Sequence, residues 1–493
     1  MRKLLVALLV GILALAGCTS VEATPKNTTV ASYYNQKLTW TNCGTKLKCS
    51  TVTVPIDYAH PADGSIKIAI NWLASTGSAD LGWLLENPGG PGGSGIDFVA
   101  AGGGQVGSAE LRKHYHVVGF DPRGVQRSAP IKCLDAKGTD HLLYDDFGPS
   151  GSAEELATTR AEMKKFIAAC RKNSGKIFGF VDTVSAAKDM DVIRSALGAK
   201  KLNYLGFSYG TFLGTTYAAL FPKLVGRMVL DGAMDPSVSD EQQSLNQLKA
   251  FNQALRNYLA DCLSKSSCLF SGSVDSAINR ISSFFKELET KPIKTTDGRM
   301  LNADSGITGL IMTLYSNDYW QYLDQAFEGA FKGNGSMFMR LADFYNDRNS
   351  DGTYASNTFE ANIAVSCLDS RADSSEAAMA AQNAKALAIS SFLGRYWLNG
   401  AVGCEQWPFP IAKRPASYAA KGSAPIIVVG TTGDPATPYW QSQNLATKIL
   451  ANGRLVTFNG EGHTAYGRSN SCVVKAVDAY LVNGIAPSKD PNC

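Results

Sequence analysis

The sequence predicts an α/β fold: a mostly parallel sheet with helices on its faces and a large helical insertion before the last strands. From about residue 40 to 235, short apolar segments alternate with helix-like ones, the pattern of parallel strands joined by crossover helices. Two further apolar segments, 424–430 and 454–458, return to strand character near the end. Between these regions, roughly 236–418, the periodicity becomes helical.

The elements follow in chain order. Met1-Arg2-Lys3, an apolar run over 4–15 and Leu15-Ala16-Gly17-Cys18 read as a signal peptide over 1–17, since about 20 apolar residues are needed to span a bilayer. The last four resemble a bacterial lipobox, so Cys18 is expected to carry lipid, with 18–32 as a tether. The expected location is therefore the outer face of the cytoplasmic membrane, with that anchor as the only membrane contact. The first part of the core, 33–235, holds expected strands at 67–74, 82–86, 115–120, 201–205 and 226–230, and a helix over 184–197. The insertion, 236–418, shows helical stretches at 241–263, 274–288 and 319–331 and a polar loop at 346–358. It is expected to be a lid over a site, the alternative being an independent helical domain. Residues 419–493 complete the sheet.

Eleven cysteines minus Cys18 leave an even number, which in an exported chain points to disulfides. The cheapest pairing joins neighbours: Cys43–Cys49, Cys133–Cys170, Cys262–Cys268, Cys367–Cys404 and Cys472–Cys493. No paired C-x-x-C spacing suggests zinc, and neither metal nor cofactor is expected. A formal charge of +4 without a Lys/Arg block argues against nucleic acid.

Gly206-Phe207-Ser208-Tyr209-Gly210 lies between a strand-like and a helix-like segment. A tight turn there presents a serine hydroxyl, making Ser208 the candidate nucleophile. Serine needs a base, and the base needs an orienting acid. Of five histidines, His463 alone occupies a glycine-rich loop after the last strand, whereas His60, His114, His116 and His141 read as loop, core or surface residues. Asp434, after the strand 425–429 and before His463, is the candidate acid; Glu461, two residues from His463, competes with it. Asn87-Pro88-Gly89-Gly90-Pro91-Gly92-Gly93-Ser94-Gly95 can expose amides to a developing oxyanion, and lacks the lysine of a P-loop and the spacing of a dinucleotide site. The amides of Gly90 and Tyr209 are the expected donors. Asp121-Pro122-Arg123-Gly124 reads as structural, with Asp121 and Arg123 able to pair within it.

These motifs together, with Val54-Pro55-Ile56-Asp57-Tyr58, Gly433-Asp434-Pro435, Gly462-His463-Thr464-Ala465-Tyr466 and the segment Cys472 to Cys493, resemble the secreted bacterial tripeptidyl aminopeptidases and related lipoprotein proteases. Those are α/β-hydrolases akin to prolyl iminopeptidases. The resemblance implies a Ser208–His463–Asp434 triad that cleaves peptide substrates near a free N-terminus. Pro88 stands where prolyl iminopeptidases carry a histidine, a departure that puts strict proline release in doubt. Such an activity requires a negative subsite for the α-ammonium, and Asp369 and Glu405, brought together by a Cys367–Cys404 bridge, are its candidates. An ester or lipid hydrolase using the same triad, and a peptide-binding lipoprotein without turnover, are the competing readings.

Overall fold

The computed structural model describes residues 29–493, so the leader and Cys18 lie outside the described residues. Strands β1 (Thr41–Gly44), β2 (Leu47–Pro55), β3 (Ser65–Leu73), β4 (Gly82–Asn87), β5 (Tyr115–Phe120), β6 (Leu202–Phe207) and β7 (Val225–Asp231) come first. A short hairpin, β8 (Ile293–Lys294) and β9 (Met300–Leu301), lies inside the helical stretch; β10 (Ile426–Gly433) and β11 (Gly453–Glu461) follow it. Nine strands form one sheet in the order β1-β2-β3-β5-β4-β6-β7-β10-β11. The pairings from β1 through β3 to β5 are antiparallel and those from β5 through β4 to β11 are parallel.

Alternation along the strands explains the layers. Leu202, Tyr204, Met228, Leu230, Ile426 and Val428 face one way, into a core shared with the helices Ala153–Ser174, Thr183–Ala196 and Tyr209–Leu220. Leu205, Phe207, Val229, Ile427 and Val429 face the other way, against Val99 of helix Gly95–Ala101 and Val473, Val477 and Leu481 of helix Ser471–Asn483. Strands buried on both faces read as continuous apolar runs, which is why the parallel part of the sheet was legible. The first two strands, edge strand β1 and its neighbour β2, were not anticipated. In β2 Val52 and Val54 are buried, while Lys48 and Thr51 are exposed, so little apolar signal survives.

Between β7 and β10 the chain is helical, with a core of its own built by Leu248, Leu255, Ile281, Phe285, Leu310, Phe327 and Phe338. The helix Thr358–Asp369 differs from its neighbours there. Its Ala364, Val365, Cys367 and Leu368 pack with the sheet's core, so it bridges the insertion and the sheet. Cys43–Cys49, Cys133–Cys170, Cys262–Cys268, Cys367–Cys404 and Cys472–Cys493 are disulfide-bonded. Among the described residues, no helix is long and apolar enough to cross a membrane.

Asp121 and Arg123 do not pair with each other, contrary to the sequence expectation. They reach different partners. Asp121 accepts from Ser94 Oγ at 2.5 Å and pairs with Arg127 at 3.2 Å. Arg123, with no exposed surface, makes a two-pronged ion pair with Asp189 at 2.6 and 2.7 Å and donates to the carbonyls of Pro55, Ile56 and Phe180. Tyr58 Oη donates to the same Asp189 at 2.8 Å. Every polar atom of this guanidinium is satisfied, which is the condition for burying a charge.

Arg123→Ala should therefore destabilise the fold by about 3–5 kcal/mol, because it strands the Asp189 carboxylate in the core. Urea unfolding followed by circular dichroism measures this; a loss below about 1 kcal/mol would show that the pair does not hold the loop in place.

Candidate active site

Ser208 sits between β6 and the helix Tyr209–Leu220 with φ 55° and ψ −125°, a left-handed conformation that a side chain rarely adopts. Close packing imposes it. A β-carbon on Gly206 would lie 2.5 Å from Gly210 O, and one on Gly210 would lie 2.7 Å from Asn87 O. Serine at a helix N-cap usually spends its hydroxyl on the first-turn amides. Ser208 makes no such bond, so the hydroxyl stays free for chemistry.

The glycine-rich loop after β4 packs against this turn. Gly89 has φ +97°, and a β-carbon there would meet Phe207 O at 2.5 Å and Ser208 Cβ at 2.9 Å. Asn87 Oδ1 accepts from Gly89 N at 3.0 Å, and Thr358 and Asn362 of the bridging helix donate to Gly92 O and Pro91 O. Gly90 and Tyr209 line the cavity beside Ser208, and among the described residues neither amide finds an acceptor. Tyr209 N is also the first amide of its helix, where the partial positive charge of the helix end adds to the attraction for an anion.

His463 Nδ1 lies 2.9 Å from both carboxylate oxygens of Asp434. The Asp434 side chain is fully buried. It also accepts from the amides of Ala436 at 2.9 Å, Thr437 at 2.8 Å and Thr464 at 3.2 Å. Glu461, the competing carboxylate, accepts instead from Asn257 Nδ2 at 2.9 Å. Two residues that the sequence reading missed complete the arrangement. Thr437 Oγ1 is 3.1 Å from Asp434 Oδ2 and 3.3 Å from His463 Nδ1. Asp231, at the end of β7, accepts from Ala465 N at 3.0 Å and Tyr466 N at 2.7 Å, while its carbonyl accepts from Ser208 N at 2.9 Å. Asp231 thus ties the histidine loop to the serine turn; burial pushes its carboxyl up to about 6. A carboxylate ending a parallel strand beside the nucleophile's strand was the signal that could have found it. Tyr315, from the helical insertion, caps the histidine: its carbonyl accepts from His463 N at 2.8 Å and its ring stands edge-on, 5.6 Å from the imidazole.

Ser208 opens into a cavity of about 390 Å³ that Asp235, Asp240, Asp369 and Arg414 also line, a size in the range of ligand sites. Asp369 is 7% exposed and accepts from Thr183 N at 2.8 Å and Thr183 Oγ1 at 2.5 Å; burial pushes its carboxyl up to about 7. Glu405 is not part of this wall, which corrects the sequence expectation. The Cys367–Cys404 bridge joins the backbones, but Glu405 turns away to pair with Arg160 of helix Ala153–Ser174 at 3.0 Å. Asp240 takes its place: it lines the cavity and accepts from Ser370 Oγ, next to Asp369. Among the described residues no group of His, Cys, Asp and Glu is arranged to hold a metal.

A sequence profile of the alpha/beta hydrolase fold matches residues 82–467. The chain belongs to that family. It is 34% identical over 505 residues to serine protease Hip1 of Mycobacterium tuberculosis (strain ATCC 25618 / H37Rv), covering 98% of this chain and 95% of that protein. Carboxylesterase B of the same strain is 36% identical over 456 residues, covering 90% and 86%. Tripeptidyl aminopeptidase of Streptomyces lividans is 30% identical over 455 residues, covering 91% and 83%. The protein is accordingly an α/β-hydrolase related to bacterial serine proteases and tripeptidyl aminopeptidases.

In this hydrolase, Gly89→Ala should lower kcat/KM for any chromogenic substrate by at least tenfold, since the added methyl must displace the serine turn or its own loop. The left-handed backbone adds about 1–3 kcal/mol of strain. Steady-state kinetics beside a melting curve check this; unchanged kcat/KM in a folded variant would mean that the loop does not have to touch the turn.

Proposed function

We propose that the protein is an exported serine peptidase that releases short peptides, most simply tripeptides, from free N-termini. Ser208 Oγ attacks the scissile carbonyl while His463 takes its proton. The amides of Gly90 and Tyr209 hold the oxyanion, and His463 then passes the proton to the departing amine. Asp434 and Thr437 hold His463 Nδ1, which leaves the other ring nitrogen for the proton transfer. Water repeats the sequence on the acyl-enzyme. Export and a lipid anchor at Cys18 rest on the leader.

The observation that carries the peptidase reading is the buried carboxylate of Asp369 in the cavity that Ser208 opens into. A free α-amino group is cationic at neutral pH and gains a charge-assisted bond there, with Asp240 beside it. An acidic pocket offers nothing to the acyl chain of a simple ester. The carboxylesterase relative keeps an esterase reading open to test. A panel of matched free-amine tripeptidyl, N-acetylated tripeptidyl and short-ester substrates separates the two: fastest turnover of esters, with no gain from a free amine, would overturn the peptidase reading.

Ser208→Ala should abolish turnover of every substrate in that panel while leaving the melting temperature nearly unchanged; activity within tenfold of the parent would remove Ser208 from the mechanism.

The preference for a free amine, read as the ratio of kcat/KM for free over acetylated peptide, should depend on pH. Asp369 becomes anionic only as pH rises through about 7. The peptide amine loses its charge near 8. The ratio should therefore climb to a maximum between these values and fall beyond, and any pH effect common to both substrates cancels from it. Asp369→Asn should lower the ratio about tenfold to a hundredfold and remove the rising limb. A rising limb that survives in Asp369→Asn would assign it to another group.

A further inference from the structure

His463 and Ser208 open into different spaces. Ser208, Gly90 and Tyr209 line the cavity that Asp369 also lines, whereas His463 faces a second cavity of about 410 Å³ with Phe98, Gln105, Asp318 and Arg468. Tyr315 lines both. In acyl transfer the carbonyl stays with the serine and the oxyanion amides, and the group the histidine protonates is the one that departs. The first cavity thus suits the acyl part of the substrate, and the second suits the leaving part.

One feature of the second cavity has no use in the steps above. Arg468 has no carboxylate within ion-pair distance among the described residues. Its Nε donates to Thr464 O at 2.8 Å, and its two terminal nitrogens reach Ser316 Oγ at 3.4 Å and Glu461 O at 3.3 Å, both long contacts to neutral acceptors. Of the nearby acids, Asp318 lines the same cavity and meets only Ser316 Oγ, at 3.4 Å, while the other two are engaged elsewhere. Asp231 is held by the amides of Ala465 and Tyr466, and Asp434 by His463 and its own loop. A half-buried guanidinium bound only by neutral oxygens retains planar donor capacity for a carboxylate. The bond to Thr464 O anchors it to the residue after His463, in the cavity that His463 also lines.

We propose that this second cavity is a leaving-group subsite in which Arg468 binds the free α-carboxylate of the departing residue. The enzyme would then favour short peptides in which the bond cut is the last one. This rests on the peptidase reading. The chemistry is unchanged by it: the C–N bond breaks, the departing nitrogen receives the proton from His463, and the carboxylate stays ionised throughout.

The test uses peptides of three to five residues with free N-termini, each made with a C-terminal carboxylate and with a C-terminal carboxamide. Cleavage of the last bond is followed by mass spectrometry, and an anilide tripeptide with a neutral leaving group is run alongside. Wild type should favour the carboxylate form about tenfold or more in kcat/KM, with the preference shrinking at high salt. Arg468→Gln should bring the ratio near one, and Arg468→Lys should restore part of it. Asp318→Asn, which removes a negative charge from the same cavity, should raise it. A wild-type ratio near one, or a ratio that survives in Arg468→Gln, overturns the subsite while anilide turnover leaves the peptidase reading intact. If Arg468→Gln does not fold, the wild-type ratio and its response to Asp318→Asn decide. No turnover of any peptide overturns the peptidase reading and the subsite with it.

Discussion

The site depends on Asp231. Its carbonyl fixes the amide of Ser208 and its carboxylate fixes the amides that follow His463, so one residue at the end of β7 sets the separation of two loops far apart in sequence. The next amide, Gly232 N, donates to Val429 O of β10 at 3.0 Å, which extends the same bracket to the strand leading to Asp434. Burial without a cation in contact is costly, as the carboxyl's upward shift from 3.8 to about 6 records. Its folded value lies above its unfolded one. Its contribution to stability is therefore largest below about pH 4 and is lost as pH rises through about 6. Positional accuracy at the site is obtained at the expense of stability above about pH 6.

The second constraint is steric. The serine turn, the glycine-rich loop and the bridging helix approach each other so closely that hydrogen is the only side chain that fits at Gly89, Gly206 and Gly210. That proximity brings the amides of Gly90 and Tyr209 to one side of Ser208, and it needs no flexible closure. In the proposed mechanism these amides are preorganised by packing, which is where oxyanion stabilisation obtains its advantage over water.

What was legible in the sequence follows from the same physics. The parallel strands announced themselves because both their faces are apolar, and Ser208, Asp434 and His463 because each lies in a loop whose glycines or prolines mark a strand end. Strands β1 and β2 were not legible, since every residue of β1 is exposed and only the last residues of β2 are buried. Thr437 was missed because nothing local distinguishes a threonine between Ala436 and Pro438 from any turn residue. Its role arises only when the imidazole arrives from 26 residues away. Glu405 was misread because a disulfide fixes where two backbones meet and says nothing of where the adjacent side chain turns; Arg160, on another helix, decides that. Asp240 was beyond reach for the converse reason. Its neighbour Ser370 is 130 residues distant, and no pattern in either segment points to the other.

The placement of the helical insertion between β7 and β10 has a consequence for biosynthesis. While the insertion is being made, β7 has its β6 partner but no strand on its other side, an unpaired edge of the kind that seeds association between chains. The nascent chain carries its serine turn through 226 residues of synthesis before Asp434 is added and 255 before His463. A hydrolase centre assembled from both ends of the chain is incomplete on the ribosome, where any extended polypeptide, itself included, would be within reach. The long loop that slows folding also postpones the chemistry until the sheet has closed around it.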